Sequence, residues 1–280
     1  MRPPAIGVLW DVIPVPAHAG PGADTGKVPD PDQLLEDAEV TDFQGWDFTR
    51  LGARLVSEPP PWDFEEIVAE SAARTTTMLD MGTGGGEWLS SLRTRAPVTV
   101  ATESWPPNVP VAAARLKALG VAVVQDEGAA DNHRQLREDP RGRLAFTAEA
   151  FDLVTNRHES FVASEVSRIL RPEGIFVTQQ THSGSQQFHE LLGVQPPQVE
   201  ELEIDLALEQ LSAAGLIVDE ADEGYAATIF ADIGALAWYL RSVPWAVPGF
   251  SISAYRNALI RLHGDPIRVT AKRFWVRAHK

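Results

Sequence analysis

"TTTMLDMGTGGGEWL", residues 75–89, decides how this chain is read. The apolar pair Met78-Leu79 ends in Asp80, and Gly82, Gly84, Gly85 and Gly86 follow almost at once. A helix-like segment, "GEWLSSLRTR", comes next. An apolar run, a glycine turn and an amphipathic stretch read as strand, loop and helix. Glycine lacks a Cβ and tolerates left-handed φ, so such a loop lets bare backbone approach a ligand.

The same alternation continues on both sides. Upstream, "PWDFEEIVAESAA" opens with Pro61, offers Asp63 as an N-cap with Glu66 three residues on, and spaces Phe64, Ile67 and Val68 for one helical face. Downstream, "VTVATES" reads as a strand. "NVPVAAARLKALG" reads as a helix with Asn108 as its N-cap and Gly120 as its stop. "VAVVQD" and "FDLVTN" are further strands, "ESFVASEVSRIL" is a helix, and "GIFVTQQ" is a fifth strand. Strands alternating with helices predict a parallel sheet covered on both faces. The tail differs: a helix in "VEELEIDLALEQLSAAG", a strand in "LIVDEADEGYAATIF", two helices, then a terminal strand in "PIRVTAKRFWVRAHK" with no helix after it. That last strand is free to insert antiparallel.

Composition narrows the chemistry. The chain has 280 residues and a formal net charge of -15, which disfavours nucleic acid as a partner. It has no cysteine, so disulfides, thiolate zinc, iron–sulfur clusters and cysteine nucleophiles are excluded. The seven histidines form no H-E-x-x-H pattern, and no metal site is expected. No apolar run is long enough to span a bilayer, and the expected setting is cytoplasmic. Residues 1–45 form a Pro/Gly-rich arm, expected to be extended over its first 40 or so residues. Phe43, Trp46, Phe48 and Leu51 follow densely enough to demand burial, as surface packing or as a lid.

Which ligand suits the loop? In open α/β sheets, ligands bind beyond the carboxyl ends of the strands, at the switch point. A dinucleotide needs G-x-G-x-x-G, with a pyrophosphate at the helix N-terminus. Here Glu87 stands where the third glycine would be, and Asp80 adds a second acid. Two acids suit a ligand with a cationic end.

Read as Asp80-Met81-Gly82-Thr83-Gly84-Gly85-Gly86, the segment resembles the D-x-G-x-G-x-G loop of the class I S-adenosylmethionine-dependent methyltransferases. "VTVATES" resembles that family's second strand, "FDLVTNRH" its fourth, and "EVSRILRPEGIFVTQQ" its next helix and fifth strand. Arg171-Pro172-Glu173-Gly174 stands for the usual K/R-P-G-G turn, from which Glu173 departs. The resemblance is strong over about residues 61–183, loose in the tail, and does not reach the first 45.

It implies an α/β fold: a doubly wound, mostly parallel, seven-stranded Rossmann-like sheet with an antiparallel C-terminal strand and helical, aromatic additions. Residues 46–280 would form the domain, with 231–264 a helical insertion. It implies S-adenosyl-L-methionine as cofactor, with Asp80, Gly82, Thr83, Gly84 and Gly86 on the methionine moiety and Glu103 on the ribose. Asp126 would lie near the adenine, though it also reads as a solvated loop acid. Asn156 and Arg157 would flank the cofactor.

His158, Gln179 and His182 are the candidate catalytic residues, with His158 as general base or, alternatively, as a cap on the next helix. Glu159 reads as a first-turn acid of that helix, and Gln180 as a polar contact for substrate. Trp238, Tyr239 and Trp245 read as pocket wall or as core. Arg268, Lys272, Arg273 and Arg277 read as a solvated strand face. "TNRH" is not the [DNS]-P-P-[YFW] of amine-directed nucleic-acid enzymes, so a small-molecule acceptor is expected. Ribosomal RNA base methylation and a non-catalytic cofactor-binding module are the alternatives.

Overall fold

The computed structural model describes residues 29–41, 48–129, 142–181, 185–196 and 202–280. In chain order these form α1 (Pro31–Val40), β1 (Leu55–Ser57), α2 (Phe64–Ala72), β2 (Thr77–Met81), α3 (Glu87–Ser91), β3 (Val98–Glu103), α4 (Asn108–Leu116) and β4 (Ala122–Gln125). Then come β5 (Phe151–Arg157), α5 (Ala163–Ile169), β6 (Leu170–Thr181), α6 (Ser185–Leu192) and α7 (Ile204–Ala213). The chain closes with β7 (Ile217–Phe230), α8 (Ile233–Ser242), α9 (Ile252–Arg261) and β8 (Ile267–His279).

The strands make one mixed sheet in the order β1-β7-β8-β6-β5-β2-β3-β4. Neighbours from β6 through β5, β2 and β3 to β4 are parallel. β8 runs antiparallel between β6 and β7, and β1 pairs antiparallel with β7. The doubly wound sheet with an antiparallel C-terminal strand is therefore present, with eight strands where seven were expected. The extra one, β1, is three residues held by Leu55↔Phe230 to Ser57↔Thr228. A strand that short has no periodicity of its own, so its partner defines it.

The chain winds outward from β2 to β3 and β4, then returns to β5 on the other side of β2. The switch point thus lies between β2 and β5, where Asp80 faces Thr155 and Met81 faces Asn156 in register. β2 and β5 are buried on both faces, as expected of central parallel strands. One face carries Leu79, Val154, Phe161, Val166 and Phe176 with α5 and α7; the other carries Phe64, Val68, Met78, Leu116 and Leu153 with α2 and α4. α2 starts where expected: Asp63 Oδ1 accepts the Glu66 N–H at 3.0 Å.

Several expectations are corrected. The arm is not extended over Pro31–Val40, which is a helix with Asp30 as its cap. It lies on α8, where Arg241 donates to the Ala38 carbonyl and Trp238 Nε1 donates to that of Thr41 at 3.3 Å. Residues 1–28 and 42–47, including Phe43 and Trp46, lie outside the described residues. Asn108 is not a cap: Pro107 holds that position, and the buried Asn108 side chain serves Glu103 instead.

Phe48 packs edge-on to Trp238 and against Tyr239, so these aromatics form a core with Phe188 and Phe230. Arg273 is fully buried and does not belong to a solvated face. Arg268, Lys272 and Arg277 do pair at the surface, with Glu58, Glu223 and Glu220. Among the described residues no helix is long and apolar enough to cross a membrane.

Candidate cofactor and acceptor site

The glycine loop leaves β2 in an unusual backbone path. Gly82, Gly84 and Gly86 have φ of 66°, 63° and 80°, the left-handed region that side chains resist. A Cβ on Gly82 would lie 2.5 Å from Glu159 Cβ, and one on Gly86 would lie 2.9 Å from Leu116 Cγ. The first absence admits the side chain of Glu159, two residues past β5; the second lets α3 close against α4. The loop is tied to β3: Thr83 N donates to the Thr102 carbonyl at 2.8 Å and Gly84 N to Glu103 Oε2 at 2.7 Å.

Four carboxylates line this edge. Asp80 is buried and accepts the Thr155 hydroxyl at 2.9 Å. Burial raises its pKa to about 6, against the opposing pull of Thr155 and the Arg157 guanidinium. Glu103 takes the N–H of Gly84 on one oxygen and that of Trp105, at 2.8 Å, on the other. Burial raises it to about 7 although Trp105, Gly84 and Asn108 favour its charge. Asp126 accepts the N–H groups of Gly128 (3.0 Å) and Ala145 (3.1 Å), so it shapes the loop after β4 and is not a solvated acid.

The fourth is Glu159, which sequence reasoning placed in a helical first turn. α5 begins at Ala163, and the acid of its first turn is Glu165. Glu159 instead lies over Gly82, and its Oε1 sits 3.0 Å from where a Cβ of Gly128 would be. Glu87, by contrast, is paired with Arg115, which also donates to the Gly85 carbonyl. The acids that can carry charge over the loop are therefore Asp80 and Glu103, with Glu87 paired to Arg115 at its side.

The ends of β5 and β6 form the other wall. Asn156 Oδ1 accepts from Gln180 Nε2 at 2.7 Å and from Thr178 Oγ1 at 3.1 Å, while its Nδ2 is buried with no hydrogen-bond partner among the described residues. Arg157 lies over the Trp88 ring, 5.3 Å from its centroid. His158 has φ of 64°, a left-handed conformation costly for a side chain, and its N–H donates to the Gln179 carbonyl at 2.8 Å.

Gln179 joins two rings. Its Oε1 accepts Trp62 Nε1 at 2.7 Å, which leaves its Nε2 to donate to His158 Nε2 at 3.1 Å. That network assigns the neutral His158 tautomer with its proton on Nδ1. His158 caps no helix: α5 has Val162 at its N-cap without a side-chain bond. His182 lies outside the described residues. Trp62 was missed because a tryptophan after three prolines carries no spacing signal.

The edge fits a nucleoside with a cationic end. The loop is a cradle that Cβ atoms would fill, and Glu103, which accepts from Gly84, Trp105 and Asn108, retains acceptor capacity for a ribose hydroxyl. Ser104 Oγ and Asn156 Nδ2 are buried polar atoms without partners among the described residues.

Strand order, switch point and an acid-flanked glycine loop define a Rossmann-like domain. A family model described as a methyltransferase domain matches residues 79–178, from Leu79 in β2 to Thr178 in β6. Over that span the chain is similar to a methyltransferase domain, in line with the resemblance its sequence carries to the class I, S-adenosylmethionine-dependent enzymes. No curated protein sequence matches it.

Solved structures share the fold. The YcgJ protein from Bacillus subtilis is similar with a TM-score of 0.53 at 16% identity, over 78% of this chain and 97% of that one. A candidate methyltransferase from Bacillus halodurans C-125 is similar with a TM-score of 0.54 at 16% identity, over 77% and 96%. At such identity the likeness concerns the fold alone.

Proposed function

We propose that the protein transfers a methyl group from S-adenosyl-L-methionine to a small-molecule acceptor. The observation that supports this best is the union of Gly84 and Glu103 beside the buried Asp80 at the switch point. In this reading Asp80, Gly82, Thr83, Gly84 and Gly86 hold the methionyl portion, and Glu103 accepts the ribose hydroxyls. Asp126 orders the loop beside the adenine, while Asn156 Nδ2 and Arg157 border the slot.

When bound, the cofactor supplies a methyl group already activated on a sulfonium. The chain's own residues then need only position the acceptor, exclude water and receive a proton. His158 and Gln179 are the residues for this, with Trp62 fixing the Gln179 amide. His158 Nε2 is the proton-accepting atom once Gln179 yields it to the acceptor. The acidity of the chain favours a metabolite over RNA.

One observation favours a second reading, a cofactor-sensing module without transfer: Glu159 lies within the slot. Transfer of labelled methyl from S-adenosylmethionine to a metabolite panel and to ribosomal RNA tests the set. Label on a metabolite supports the proposal. Label on RNA alone replaces the acceptor, and binding without any transfer favours the sensor.

A further inference from the structure

Glu159 is an anomaly that the site's chemistry does not absorb. It is 5% exposed, and its Oε1 is buried with no hydrogen-bond partner among the described residues. Leaving a carboxyl oxygen bare in the interior is costly, so the side chain is poised to leave or to meet a ligand. Its position is specific. Its Cβ, Cγ and Oε2 lie 2.5, 2.6 and 2.7 Å from where a Gly82 Cβ would stand, and its Oε1 lies 3.0 Å from where a Gly128 Cβ would stand. The side chain therefore lies between the loop after β2 and the loop after β4 at the carboxyl edge. That is the path assigned above to the ribose and adenine.

We infer that Glu159 is a displaceable plug: it closes the nucleoside slot of the free protein and swings out when the nucleoside enters. The inference rests on the cofactor reading above. The backbone fixes the point from which the side chain swings, because His158 turns left-handed directly before it and Gln180 Nε2 anchors the Glu159 carbonyl at 3.1 Å. The main chain is held while the side chain is not.

The surroundings set the charge state. Burial raises the Glu159 pKa well above the usual carboxylate range, and Glu103 from β3 and Asp126 from the loop after β4 add to it. From β2, Asp80 is a further acid, with the Arg157 guanidinium of β5 acting on it. The His158 ring is held by Gln179, and β6 faces Glu159 with the Gln180 amide. The seated plug is thus the neutral acid. Expelled into water, it ionises and its proton goes to solvent, so entry of the nucleoside is favoured as pH rises.

Calorimetry of the full chain with S-adenosylhomocysteine at about pH 6 and about pH 8, in buffers of different ionisation enthalpy, tests this. Wild type should bind more tightly at the higher pH and release a proton on binding. Glu159→Ala should bind at least about tenfold more tightly than wild type at the lower pH, with a smaller pH dependence and less proton release. Glu159→Gln keeps the shape without the charge, so it should stay seated and bind more weakly than Glu159→Ala at both pH values. Equal affinity of wild type and Glu159→Ala overturns the plug and leaves the cofactor reading standing. Weaker binding by Glu159→Ala also overturns it, since the carboxylate would then be a ligand contact. No binding by either protein overturns the plug and the cofactor reading together.

Discussion

The backbone N–H of Gly84 donates to Glu103 Oε2 at 2.7 Å, so the turn after β2 and the acid ending β3 act as one unit. Glu103 is buried and its pKa is raised to about 7, which means the folded protein holds its proton more tightly than the unfolded chain. Its contribution to stability is therefore complete below the unfolded carboxylate range and is lost as pH rises through about 7. Glu103→Gln removes that dependence. Between about pH 5 and pH 8, wild type should lose stability relative to the variant by an amount on the order of a few kcal/mol. Urea denaturation at both pH values checks it; a wild type that gains relative to the variant would refute the assignment.

Thr155 supplies a hydroxyl to Asp80 at 2.9 Å across the switch point. Thr155→Val keeps the shape and deletes the donor. It should cost about 1–3 kcal/mol at neutral pH, because a buried carboxylate loses a partner. The cost should shrink toward acid pH, where Asp80 is neutral. A pH-independent loss would instead mean that the threonine only fills space.

Trp62 fixes Gln179 by a 2.7 Å bond, and Gln179 in turn holds His158. Trp62→Phe should lower kcat by about tenfold, the equivalent of one modest hydrogen bond in the transition state. Cofactor affinity should not change. If kcat is intact and only the cofactor Kd moves, the network serves the nucleoside rather than the acceptor.

Glu173 has φ of 65° in the turn where the family's pattern has glycine. Glu173→Gly relieves a left-handed side chain and should stabilise the fold by about 1 kcal/mol. A loss of stability in denaturant titrations would mean that the glutamate side chain holds the turn by contacts stronger than the strain.

What could be read from the sequence follows from how local each signal is. β2 and β5 are buried on both faces, and such strands appear as plain apolar runs in front of their loops. Asp63 caps α2 through a bond three residues long, so its role is local as well. The glycine loop was legible because φ of 63–80° at alternate positions demands glycine there.

Other features depend on partners far along the chain. α1 buries only Leu35 and Ala38, and what ties it down is Trp238 and Arg241, about 200 residues away. β1 exists because β7 offers an edge. Glu159 misled for a related reason. Its neighbours suggest a helix start, but the left-handed turn at His158 sends its side chain back over Gly82. Glu87, read as one of two acids around the loop, is paired with Arg115 from α4, a contact that no sequence spacing announces.

The central claim is that the loop from Gly82 to Gly86, joined to Glu103, receives the nucleoside of a sulfonium cofactor. Calorimetric titration of the folded protein with S-adenosylhomocysteine and with NAD, repeated on Gly84→Val, tests it most directly. The account predicts binding of S-adenosylhomocysteine alone, and its loss in Gly84→Val while the thermal transition remains cooperative. Preference for NAD, or an S-adenosylhomocysteine affinity untouched by Gly84→Val, would contradict it.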